Sequence, residues 1–186
     1  MQSTTHILRN TSNLTLALVI QKIIAFVYFT LLAHALGVEK LGVYVFVISF
    51  VTMFGLVVDF GTNHYITREI AKQKSKAQAL FSLVFGLKLV SVLTAIILAL
   101  GTAYILGYDA EVMKFIYIAL PVMMVESLAL TLYAVLRGFQ HLQYEAISTV
   151  LVHSIILLIG YAVAYTSGSV AALLFVLLIG HSANVL

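Results

Sequence analysis

Residues 79–106 read ALFSLVFGLKLVSVLTAIILALGTAYIL, 28 positions interrupted by one charge, Lys88. No polar/apolar alternation runs through the stretch, and it is far too long for a strand. As a helix rising 1.5 Å per residue it extends about 42 Å, enough to cross about 30 Å of hydrocarbon. A helix satisfies its own backbone hydrogen bonds in lipid, and the missing alternation argues against a barrel strand. Five further stretches have the same character, at 12–37, 41–60, 112–136, 147–166 and 169–186. The expected fold is therefore all-α, a polytopic membrane bundle of six transmembrane helices.

The composition agrees. Hydrophobic residues make up 62% of the 186, and charged residues only 9%, against roughly 25% in a soluble domain. So little polar surface cannot coat a water-soluble globule, which excludes a soluble enzyme and a nucleic-acid binder. The chain has no cysteine, which excludes disulfides, thiolate metal sites and a cysteine nucleophile. Only five charged residues, Lys22, Asp59, Lys88, Lys114 and Glu126, lie inside the six stretches. Each charge held at a helix centre costs about 2.5–3.5 kcal/mol on insertion scales.

Lys and Arg in the short connections set the orientation. Arg9, Arg68, Lys72, Lys74, Lys76 and Arg137 fall on one side, Lys40 and Lys114 on the other. This places the N-terminus and the even-numbered connections in the cytoplasm of a cell (plasma or inner) membrane. The outer connections, Val38–Lys40, Gly107–Glu111 and Ser167–Gly168, leave almost no exterior domain. Ala33-His34-Ala35 has the form of a signal-peptide cleavage site, but the chain is apolar from Leu14 and five stretches follow, so the first is read as a retained span. The glycosylation patterns at Asn10 and Asn13 fall on the cytoplasmic side and are read as chance. The sixth stretch runs to Asn184-Val185-Leu186 with no polar tail after it, so the chain is read as a six-helix unit that pairs with another copy or, the favoured reading, as one six-helix lobe of something longer.

Three ionisable residues share a depth. Lys22 and Lys88 lie about ten residues from the inner ends of their helices and Glu126 about eleven, hence each about 15 Å deep. Charges so placed usually face a bundle interior or a water-filled cavity and mark a substrate pathway. Two readings stand: a structural ion pair between Lys88 and Glu126, or a cationic cavity layer formed by Lys22, Lys88 and Glu126. At the cytoplasmic face, Asp59 ends the second stretch with Arg68 as its candidate partner. Asp59, Arg68 and Arg137 are candidates for a mouth or gate. In the connection 61–76, Tyr65, Ile66 and Ile70 form the apolar edge of an expected surface helix, with its bases toward anionic lipid or an anionic substrate. Pro121, five residues before Glu126, is expected to free backbone groups and bend its helix, as a hinge or as a static kink.

Asp59-Phe60-Gly61 spells the kinase metal-binding tripeptide, but no phosphate loop or catalytic loop accompanies it. The six histidines contain no His-x-x-x-His pair, so neither a metal nor another cofactor is expected. His153 and His181 lie inside spans, either lining a cavity or hydrogen-bonded in the interior. No nucleophile elbow or paired-carboxylate site appears, and no enzyme activity is expected.

Three short segments carry a resemblance. Leu36-Gly37 followed by Leu41-Gly42-Val43-Tyr44 resembles the junction between the first two spans of polysaccharide flippases. Asp59-Phe60-Gly61 followed by Thr67-Arg68-Glu69-Ile70-Ala71-Lys72 is similar to their aspartate–glycine and arginine–glutamate–isoleucine–alanine signature. Leu136-Arg137-Gly138-Phe139-Gln140 with Tyr144-Glu145-Ala146 resembles their segment after the fourth span. The chain over 13–146 thus resembles the lipid-linked oligosaccharide (O-antigen type) flippases of the multidrug/oligosaccharidyl-lipid/polysaccharide exporter superfamily. The resemblance implies two six-helix lobes around a cavity and transfer of a polyprenyl-diphosphate-linked glycan from the cytoplasmic to the outer leaflet by alternating access. It implies the lipid bilayer, a second lobe or glycan polymerase machinery as partners, and no nucleic acid. Two other functions stay open: a cation-coupled exporter of small molecules with Glu126 as its proton or sodium site, and a non-transporting subunit of a glycan-assembly complex.

Overall fold

The computed structural model describes the backbone of residues 4–185 and the side chains of residues 11–185. Arg9 and Asn10, as side chains, and the terminal Leu186 lie outside the described residues. The chain is an all-α membrane helix bundle in the order α1 (Thr4–Asp59), α2 (Thr62–Lys72), a short 3-10 turn (Lys74–Lys76), α3 (Ala77–Ile105), α4 (Ala110–Gly138), α5 (Leu142–Thr166) and α6 (Val170–Ala183). Among the described residues, α1, α3, α4 and α5 are long and apolar enough to cross a membrane, and α6 is a shorter apolar helix.

α1 is two helical arms joined at Gly37, where φ is 75° and ψ is 172°. That backbone region is open to glycine and strained for residues with a Cβ, so the helix kinks at that one residue. α4 begins where the Asp109 carboxylate accepts a hydrogen bond from the Val112 N–H at 2.8 Å, and α6 where Ser169 Oγ accepts from the Ala172 N–H at 3.4 Å. Both side chains satisfy amides that a helix start leaves open. α4 runs through Pro121 as one helix.

Lipid-type exposure governs the surface. Phe26 is 71% exposed and Ile97 70%, the reverse of a water-soluble protein. α3 buries one narrow stripe, Val84, Lys88, Val92, Ala95, Ala99 and Ala103. The spacing is one turn at a time, and the alanines permit close helix approach where no hydrophobic drive exists between helices in lipid. The main core lies where this stripe meets α1, α4 and α6, through Val47, Val51, Ile116, Ala119 and Leu173.

The two ends of the bundle differ. At one end Lys40 Nζ donates to the Gly168 carbonyl at 3.1 Å, and Tyr108 packs edge-on against Phe46 and Phe50. At the other, α2 lies across α3 and α4, with the Thr67 hydroxyl 2.8 Å from the Ala134 carbonyl. α2 corrects the expected apolar edge. Ile66 and Ile70 are fully buried, but Tyr65 is exposed and Asn63 is buried in its place. Residues 63, 66 and 70 share a helix face, whereas 65 is rotated about 100° from 66.

Candidate functional site

The structure separates the expected charge layer into three places. Lys88 sits on the buried stripe of α3 and is 1% exposed. Its Nζ donates to the Ser127 carbonyl of α4 at 2.9 Å and to Asn63 Oδ1 of α2 at 3.3 Å. Its carboxylate partner is Asp59, at the end of α1, with Oδ1 3.5 Å away. The Thr131 hydroxyl lies 3.0 Å from the Ser127 carbonyl and 3.2 Å from Asn63 Oδ1. One ammonium therefore fastens α1, α2, α3 and α4 together. Asp59 Oδ1 makes no hydrogen bond beyond its ion-pair contact, and Ser127 Oγ is buried without one.

This arrangement replaces two expected pairs. Lys88 does not meet Glu126, because successive residues on a helix point about 100° apart: α4 turns Ser127 toward α3 and Glu126 toward α1, α5 and α6. Asp59 does not meet Arg68. The Arg68 Nε instead donates to Glu69 Oε1 at 3.2 Å on the exposed side of α2, where Lys72 Nζ also donates at 2.8 Å. The hydrogen bond from Lys72, with Arg68 adding to it, holds the Glu69 carboxyl below the usual carboxylate range.

Glu126 lines a cavity of about 250 Å³ between both arms of α1 and α4, α5 and α6. Most of its wall is apolar, including Ile48, Val51, Val122 and Ile156. Its polar groups are Glu126, His153, His181, Tyr28, Tyr44 and Thr52. The His153 and His181 rings are 6.5 Å apart and nearly perpendicular. His153 Nδ1 lies 2.8 Å from the Thr149 carbonyl and Nε2 lies 2.9 Å from Gln21 Nε2. His181 Nδ1 is buried and has no hydrogen-bond partner. No group of three or more metal-ligating side chains exists among the described residues.

Lys22 belongs to neither place. It is exposed on the outer face of α1, in a shallow groove with Leu18, Val19 and Phe26. The ion pairs among the described residues do not include it. Lys22 is thus not brought together with Lys88 or Glu126. Arg137, the remaining gate candidate, is held by Glu145 of α5. Its Nε donates to Glu145 Oε2 at 2.7 Å, and a second bond joins its Nη2 to Oε1. Glu145 is 3% exposed. This fork closes the turn between α4 and α5, and neither Asp59 nor Arg68 takes part in it.

Sequence reasoning passed over Asn63, Ser127, Thr131 and Gln21. These are neutral polar residues, common at helix ends and interfaces, and charge counting does not register them. The one available signal was Asn63, spaced three and seven residues before Ile66 and Ile70.

A family model described as polysaccharide biosynthesis protein matches residues 7–186. No curated protein and no solved structure matches the chain.

Proposed function

The chain belongs to the polysaccharide biosynthesis protein family, and from that premise we propose that it is a six-helix lobe of a flippase. The lobe, with its N-terminus in the cytoplasm of the cell membrane, moves a polyprenyl-diphosphate-linked oligosaccharide from the inner to the outer leaflet by alternating access. A second lobe packs against the open side of α1.

The observation that carries this reading is Lys22. It lies about 15 Å along its helix from the inner boundary, faces outward and has no carboxylate partner among the described residues. A bare ammonium facing hydrocarbon at that depth is unfavourable, and such charges face water-filled clefts or bound anions. A lipid diphosphate supplies at least two negative charges and needs a cation to cross. Lys88, already committed to Asp59, Asn63 and Ser127, holds the cytoplasmic corner of the lobe together. Glu126 faces a separate cavity and is not assigned to the phosphate.

The test is complementation of a flippase-deficient strain by the protein as encoded, with surface glycan as the readout and membrane level measured in parallel. Lys22→Ala loses most surface glycan at an unchanged membrane level. Lys22→Arg retains part of it, because lysine acts on phosphate mainly as a point charge. Full surface glycan from Lys22→Ala overturns the reading.

A further inference from the structure

A groove of about 670 Å³ lies between the last turn of α3 and the first turns of α4, at the end of α3 remote from α2. Tyr104 lines it from α3, Tyr108 from the connecting turn, and Lys114, Tyr117 and Ile118 from α4. It shares no lining residue with the cavity that holds Glu126. Tyr104 is 64% exposed and Tyr117 45%, so the groove opens sideways to whatever surrounds the bundle and not into its interior.

Two features give the groove its chemistry. The Tyr104 and Tyr117 hydroxyls lie 2.5 Å apart and tie α3 to α4. Within such a pair one O–H donates to the other oxygen, which leaves one O–H free to donate elsewhere. Lys114 is exposed one turn before Tyr117, and the ion pairs among the described residues do not include it. Glu111, three residues earlier, has the spacing of a helical ion pair but forms none. Asp109 is taken by the Val112 N–H, and neither acid lines the groove. Lys40, by contrast, donates to the Gly168 carbonyl. The depth suits a phosphodiester. The 29 residues of α4 extend about 43 Å, the thickness of a bilayer with its headgroups. Lys114 is four residues from the helix start, hence about 6 Å in, where headgroups meet hydrocarbon.

We propose that Lys114 and the Tyr104–Tyr117 pair form a binding site for the phosphate of an anionic phospholipid, whose acyl chain lies along Ile118 between α3 and α4. The ammonium neutralises the phosphate and the free tyrosine O–H donates to it. Charge decides between lipid phosphates. One cation balances the single charge of a phosphodiester, whereas a diphosphate with at least two charges would stay half neutralised beside hydrocarbon. The site needs no transported substrate, so it stands or falls apart from the flippase reading.

The chain has no tryptophan, so Ile118→Trp places a single indole in the groove, and its fluorescence is read in vesicles of brominated phosphatidylglycerol or brominated phosphatidylcholine mixed with unbrominated lipid. The ratio of quenching by the two gives the local preference for the anionic lipid. The expected preference is about fivefold, the ratio for one base near a lipid surface. It falls to parity in Lys114→Gln and persists in Lys114→Arg. It falls to about twofold when Tyr104→Phe and Tyr117→Phe are combined, because a neutral hydrogen bond contributes modestly and the phosphate is no longer held against the ammonium. Leu93→Trp, on the exposed middle of α3, shows no preference. Should Ile118→Trp fail to fold, Ala110→Trp, also on the groove, carries the measurement. Equal quenching by both lipids, or a preference unchanged in Lys114→Gln, overturns the proposal. A preference abolished by inorganic phosphate assigns the site to a free anion, and one abolished by equimolar polyprenyl diphosphate assigns it to that carrier; either overturns the phospholipid. An unchanged preference in the double tyrosine variant overturns the role of the hydroxyl pair.

Discussion

Lys22 and Lys88 are the same residue type at the same expected depth, and the bundle treats them oppositely. Lys88 faces inward because it falls one turn from Val84 and from Val92 on the only buried stripe of α3. Lys22 faces outward, one residue from Gln21, which bonds His153. Substitution separates the two. Lys88→Ala leaves Asp59 Oδ1 without its cation and leaves Asn63 Oδ1 and the Ser127 carbonyl to share the Thr131 hydroxyl. Removing one partner of a fully buried pair costs about 3–5 kcal/mol; because Asp59 is 36% exposed, the expected loss is nearer 2 kcal/mol. It appears as lower membrane level and earlier heat aggregation in detergent. The double change Lys88→Met with Asp59→Asn recovers part of that loss, since no buried charge is left alone. Lys22→Ala changes neither measurement. Equal heat sensitivity of the two alanine variants contradicts the assignment. The presence of intramembrane charge was legible in the sequence because hydropathy exposes every exception. Its pairing was not, because a step from Glu126 to Ser127 rotates the side chain by about 100° and only tertiary packing fixes that angle.

At the scale of elements, the end of the bundle that carries α2 depends on α2 packing against α4. A Cβ on Gly138 would stand 2.8 Å from Ile70 Cβ and 3.1 Å from the Thr67 carbonyl, so the helices touch where α4 has no side chain. Gly138→Ala forces α2 away at a cost of about 1–3 kcal/mol. Limited proteolysis between α2 and α3 then proceeds faster than in the parent, and an unchanged cleavage rate contradicts the close packing. The fork from Arg137 to Glu145 makes the neighbouring turn equally dependent on a pair. Arg137→Ala leaves a carboxylate that is 3% exposed without its cation, whereas exchanging the two residues retains opposite charges. Membrane level falls in the single variant and recovers partly in the exchange. The surface helix was legible from its basic residues and isoleucines. Its inner edge was misassigned at Tyr65, because a tyrosine beside two isoleucines reads as apolar while the buried role went to Asn63, which reaches Lys88.

At the scale of the whole molecule, the fold class followed from the length and apolarity of the stretches, and the family resemblance from three short motifs. Those motifs now have physical roles: the glycine kink at Gly37, the corner of Asp59 and α2 closed by Lys88, and the Arg137–Glu145 fork beside Gly138. Sidedness gives a direct prediction. Cysteines introduced at Ser75 and Tyr108 are exposed to an impermeant thiol reagent in intact cells; position 108 labels, position 75 labels only after lysis, and the reverse pattern contradicts the orientation. The flippase reading itself is tested most directly by vesicles holding the full-length protein and a short-chain polyprenyl-diphosphate disaccharide, with appearance of the lipid in the opposite leaflet followed over time. The account predicts transfer by the parent protein and by Lys22→Arg at a reduced rate, and little above empty vesicles for Lys22→Ala. Transfer by Lys22→Ala at the parental rate would contradict it.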